Sequence, residues 1–83
     1  MENVDTFLEQ TIKEAAGMYI DNGAIVLDYV YPYRIELSRC NTPGKILGWV
    51  NQLSGKNWMT TDRMNLFIQV AFSQIGIEVD FAI

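Results

Sequence analysis

The 83 residues, 9.5 kDa, make one domain spanning 1–83, because a second core does not fit in so short a chain. A hydrophobic content of 49% and an aromatic content of 12% exclude long disorder. The absence of histidine and the single cysteine, Cys40, exclude His-based triads, His-ligated zinc, an internal disulfide and a Cys₄ metal site within one chain.

Six basic against ten acidic residues give a net charge of −4, unevenly spread. Residues 1–33 carry −5, residues 34–63 carry +3 and residues 64–83 carry −2. Such a pattern is either a solvated surface of mixed sign or two poles that meet oppositely charged partners. No apolar run approaches the ~20 residues that span a bilayer. The start, Met1-Glu2-Asn3-Val4-Asp5, is acidic where a secretory leader is basic. Together with the lone thiol, this predicts a cytoplasmic protein with no membrane partner. Neither G-x-x-x-x-G-K-S/T nor G-x-G-x-x-G occurs, and no cofactor is expected.

In chain order, the first element reads as an amphipathic helix. Val4, Phe7, Leu8, Ile12, Ala15, Ala16 and Tyr19 recur at three- and four-residue spacing. Its polar face carries Glu2, Asp5 and Glu9, with Lys13 four residues after Glu9. It ends either at Gly17 or at Asn22, with Gly23 as a left-handed cap. The longer helix is favoured, because a hairpin turn at Asp21-Asn22-Gly23 leaves only residues 18–20 for a first strand. Two strands follow, 24–31 and 33–38, divided by Pro32, which has no donor for a ladder. Tyr33, Ile35 and Leu37 face inward while Arg34, Glu36 and Ser38 face water, the pattern of an antiparallel sheet covered on one side. A single, strongly bent strand is the competing picture.

Asn41-Thr42-Pro43 marks a helix start, with Thr42 as cap and Pro43 at the first helical position. Ile46, Leu47, Trp49, Val50 and Leu53 carry this helix to Gly55. Gly44 and Gly48 each cost ~1 kcal/mol relative to alanine, explained by close approach of another backbone or by an indifferent surface. The next helix follows Thr60-Thr61-Asp62, with a stripe of Met64, Phe67, Ile68, Ala71, Phe72 and Ile75 widened by Leu66 and Val70, and stops at Gly76. It is the most apolar helix and the most buried one expected. Ile77, Val79, Phe81 and Ile83 alternate with Glu78 and Asp80, predicting a third strand. The order α-β-β-α-α-β predicts an α+β fold: a small three-stranded antiparallel sheet with helices packed on one face.

The candidate sites are surfaces. Tyr29, Tyr31 and Tyr33 lie two apart around Pro32 and line one face if the segment is extended. Their polar tips suit a rim at a protein contact. Trp58, in the loop 55–59, is a plug on the core or an exposed anchor. Asp5, Glu9 and Glu14 form an acidic pole. Cys40 precedes a helix start beside Arg39, which favours a thiolate, but no histidine can serve as its base; a half-buried, inert thiol is the plainer reading. The two central helices outline a helix-turn-helix, yet the second has one base, Arg63, in a chain at −4, so no direct DNA reading is expected. Nothing in the sequence places two acids in a cleft for acid–base catalysis.

Arg39-Cys40-Asn41-Thr42-Pro43-Gly44-Lys45-Ile46-Leu47-Gly48-Trp49-Val50, followed by Leu53-Ser54, Lys56 and Trp58-Met59-Thr60, resembles small accessory proteins of proteobacterial phages and plasmids. The likeness covers about a quarter of the chain, carries no catalytic motif, and departs at Gly44, where a helix-favouring acid is expected. It implies a mobile-element protein, and some such proteins bind host defence machinery, as anti-CRISPR proteins do. The resulting expectation is a non-enzymatic protein-binding module whose partner is a host protein or complex. A stoichiometric inhibitor of a nucleic-acid-targeting defence complex is its specific form, acting by occlusion through Glu2, Asp5, Glu9 and Glu14. The alternative is a self-associating structural or regulatory subunit that buries apolar surface in a homodimer. A third reading, a nucleic-acid-binding regulator, requires Arg34, Arg39, Lys45, Lys56 and Arg63 on one face.

Overall fold

A computed structural model describes residues 17–79. Strand β1 is Met18–Asp21, β2 is Ala24–Asp28 and β3 is Pro32–Glu36. They form one antiparallel sheet in the order β1-β2-β3. A short 3-10 turn, Leu37–Arg39, leads to helix α1, Pro43–Leu53, and then to α2, Thr61–Ser73. The α+β class and the three-stranded antiparallel sheet expected from sequence are therefore present.

The strands are drawn from different residues than expected at both ends. Residues 18–21 are strand, so the helix running to Asn22 is overturned, and the hairpin weighed against it is the observed structure. Asn22 (φ 50°) and Gly23 (φ 78°) both lie in the left-handed region, as a type I′ turn demands. Four residues suffice because Met18 pairs with Leu27 and Ile20 with Ile25, giving a short strand two apolar cross-strand pairs. The earlier helical pattern, residues 4–16, lies outside the described residues. At the other end, residues 77–79 carry no strand, and the remainder of that predicted strand also lies outside the described residues.

Gly17 enters β1 at φ 82°, and its carbonyl accepts the Asp28 amide at 2.7 Å. A Cβ there would stand 2.7 Å from the Asp28 carbonyl oxygen and 3.1 Å from the Tyr29 ring, so only glycine fits. The β2–β3 hairpin closes through the loop 29–31, and Pro32 opens β3, where a missing donor is tolerated. That hairpin replaces the single bent strand. Leu37 leaves the alternation to begin the 3-10 turn.

Register sorts the sheet into two faces. Met18, Ile20, Ile25, Leu27, Tyr33 and Ile35 face the helices; Tyr19, Asp21, Ala24, Val26, Asp28, Arg34 and Glu36 face the other way. The core joins Met18, Ile25, Leu27 and Ile35 to Ile46 and Leu53 of α1 and to Phe67, Val70 and Ala71 of α2. β2 is buried from Ala24 to Leu27 on both faces, which explains its unbroken apolar run. On the outer face the Arg34 side chain crosses β2 to reach Asp21 at 3.3 Å.

Threonine caps both helix starts, Thr42 as expected from sequence and Thr60 in addition. Thr42 accepts the Lys45 amide at 3.2 Å, and Thr60 accepts the Arg63 amide at 3.2 Å. The first turn of α1 thus forms despite Gly44. Gly76 (φ 78°) closes α2, where the Ile77 amide reaches back to the Phe72 carbonyl at 3.0 Å.

Candidate functional site

Trp58 sits between the two helices and is 8% exposed. Three tyrosines converge on it from the β2–β3 hairpin. Ring centroids lie 5.6 Å from Tyr29, 6.5 Å from Tyr31 and 5.7 Å from Tyr33, with Tyr31 set edge-on at 85°. Tyr31 and Tyr33 are themselves 6.2 Å apart. These spacings are those of favourable aromatic contacts, and four packed rings give a stiff surface. The tyrosines meet because a hairpin loop folds them over Trp58, whereas the sequence suggested an extended face. Trp58 supports the cluster from within, and the exposed rim is Val30 (71%) and Tyr31 (48%).

Two cations clasp the cluster. The Arg63 guanidinium lies 4.0 Å over the Tyr29 ring and donates to the Trp58 carbonyl, and Lys56 Nζ lies 5.0 Å over the Tyr33 ring. The Tyr29 hydroxyl is buried and has no hydrogen-bond partner among the described residues. Burial pushes this phenol above its usual range, and the nearby Arg63 charge pulls the other way without prevailing.

Beside the cluster, a groove of about 490 Å³ opens between the 3-10 turn and α1. Its lining includes the aromatic rings of Tyr33 and Trp49, the cations Arg39 and Lys45, and Gly48 and Gln52 of α1. The Trp49 indole N–H donates to the Arg39 carbonyl at 3.0 Å, which fixes the ring. Lys45 Nζ donates to Asn41 Oδ1 at 3.1 Å. A Cβ at Gly48 or at Gly44 would meet nothing within 4 Å, so neither glycine serves a backbone approach within the described residues.

Arg39 and Lys45 at the groove, with Lys56 and Arg63 on the tyrosines, lie on the helix side of the sheet. Arg34 does not join them: it points from the outer face, paired with Asp21. The gathering of all five bases is therefore not met at Arg34. Alternation sends Asp21, Asp28 and Glu36 to that same outer face. Asp5, Glu9 and Glu14 lie outside the described residues.

Cys40 is 1% exposed, its thiol aimed at the Glu36 carbonyl at 3.6 Å, and burial pushes its pKa up. That is the inert thiol of the plainer reading. Among the described residues no cluster of three metal-ligating side chains occurs, and no helix is long and apolar enough to cross a membrane.

Sequence reading missed the groove. Lys45, Gly48, Trp49 and Gln52 stand at i, i+3, i+4 and i+7, one stripe of α1 beside the apolar stripe of Ile46, Val50 and Leu53. That periodicity was available, but Arg39 and Tyr33 join it only through the fold. No family model, no curated protein and no solved structure matches the chain.

Proposed function

We propose that the chain is a non-enzymatic protein-binding module of a mobile genetic element, acting stoichiometrically on a host complex that targets nucleic acid. The observation that carries the binding role is the convergence of Tyr29, Tyr31 and Tyr33 on Trp58, with Tyr31 and Val30 exposed at the rim. Packed aromatics lose little side-chain entropy when a partner arrives, so they make efficient anchors. The mobile-element context comes from the resemblance at residues 39–60. The contact surface in this reading is the tyrosine rim.

Affinity capture by the full chain from host lysate, read by mass spectrometry, tests the proposal. Recovery of a defence complex at fixed stoichiometry by the native chain, and its loss with Tyr31→Ala, is the expected result. Recovery of the chain alone, with light scattering above 9.5 kDa, returns the self-associating subunit instead.

A further inference from the structure

We propose that the groove between the 3-10 turn and α1 receives an extended acidic segment of the partner protein, its carboxylates at Arg39 and Lys45 and an apolar side chain against Tyr33 and Trp49. This rests on the reading of the chain as a protein-binding module and names the chemistry its partner presents.

Charge complementarity selects the occupant. Among the described residues none that lines the groove is acidic, and Arg39 and Lys45 are part of its lining. Lys45 lies in the first turn of α1, at the positive end of the helix dipole, and that turn carries no acidic side chain. Asp21, Asp28 and Glu36 are held on the outer face of the sheet, away from an approaching anion. The lining rings are held in place, Trp49 by its bond to the Arg39 carbonyl and Tyr33 by Trp58 and Lys56. Gly48 leaves the helix side open, and the space of about 490 Å³ is of ligand-pocket size.

Nucleic acid fits less well. Phosphate neutralisation supplies essentially all sequence-independent affinity for nucleic acid, while the groove lining offers two cations in a chain whose net charge is −4. A short peptide with two or three carboxylates matches two cations. Tyr33 borders both the groove and the Trp58 cluster, so such a segment continues onto the tyrosine rim.

The probe is a fluorescein-labelled ten-residue peptide of glutamate and aspartate with one central phenylalanine, followed by anisotropy. Its counterpart with lysine at the acidic positions and a labelled ten-nucleotide oligothymidine are the other arms. The acidic peptide is expected to bind, and to weaken as salt rises from about 50 to about 500 mM. Arg39→Glu with Lys45→Glu is expected to lose about tenfold or more in affinity. Gly48→Leu, which fills the groove with both charges intact, is expected to lose a similar factor. Arg34→Glu, reversing one charge on the outer face, is compared with Arg39→Glu alone and is expected to stay within about twofold, as is Arg34→Gln. Circular dichroism checks that each variant is folded, and Gly48→Leu keeps the test open if the charge reversals unfold. Tighter binding of oligothymidine, equal binding by the folded variants, or a loss with Arg34→Glu equal to that with Arg39→Glu overturns the proposal. Capture of the partner complex by the Arg39→Glu, Lys45→Glu variant, lost only with Tyr31→Ala, overturns the groove while leaving the module reading intact.

Discussion

Tyr29 is held between Trp58, Arg63 and Gly17, and its hydroxyl meets no hydrogen-bond partner among the described residues. A buried, unpartnered hydroxyl costs about 1–3 kcal/mol of desolvation. Tyr29→Phe keeps the ring contacts and removes the orphan, so the urea midpoint is expected to hold or to rise by up to about 1 kcal/mol equivalent. The same residue sets an alkaline limit. Its folded pKa is raised above 10.0, so the unfolded chain gives up that proton first. The stability contribution is whole below pH 10.0 and is lost as pH climbs toward the folded value. Tyr29→Phe is expected to flatten the fall in melting temperature above pH 10.0, measured over a pH series. Spacing alone brought out the three tyrosines. Their common partner, Trp58, was hidden because it lies 25 or more residues away along the chain, and no local pattern reports such a contact.

At the scale of elements, the start of α1 was legible to the residue, because capping chemistry is local and Thr42 and Pro43 act on their own turn; its end falls at Leu53, two residues before Gly55, which does not adopt the left-handed cap. Two substitutions in this helix have opposite signs. Thr42→Ala removes the acceptor of the Lys45 amide and is expected to cost ~1 kcal/mol. Gly48→Ala adds a Cβ into open space on a helical backbone and is expected to gain about 0.5–1 kcal/mol. Chemical denaturation of the two variants side by side reads both. The hairpin at Asn22-Gly23 was misjudged because Tyr19 extends the helical spacing of the preceding residues, and a strand of four shows too little alternation to contradict it. The alternation at 77–79 indicates a face, but a ladder also needs a partner strand, which a pattern in one segment does not supply.

For the whole molecule, the class followed from the order of elements, and the sheet kept its three strands even though one came from different residues. Phe67 sits fully buried where α2 meets the sheet and α1. Phe67→Ala is expected to cost roughly 3–5 kcal/mol, much of what holds a domain this small, and calorimetry is expected to show a melting transition lowered steeply or absent. The distribution of charge was half legible. Counting along the chain located the basic stretch, but only the register separates Arg34 from Arg39, Lys45, Lys56 and Arg63.

The described strands form a meander and the two helices follow as consecutive neighbours, so each sheet pairing joins elements adjacent in the chain. Local pairing of this kind favours faster folding than long-range pairing, since little chain must be closed into loops before contacts form. The hairpin carrying the tyrosines and the connection carrying Trp58 belong to separate local units. Their docking is the step that completes the aromatic cluster. The surface proposed to meet a partner lies at the seam between the meander and the helix pair. A chain emerging from the ribosome presents Tyr31 before Trp58 has been synthesised to receive it, so the aromatic cluster cannot close until synthesis has passed Trp58.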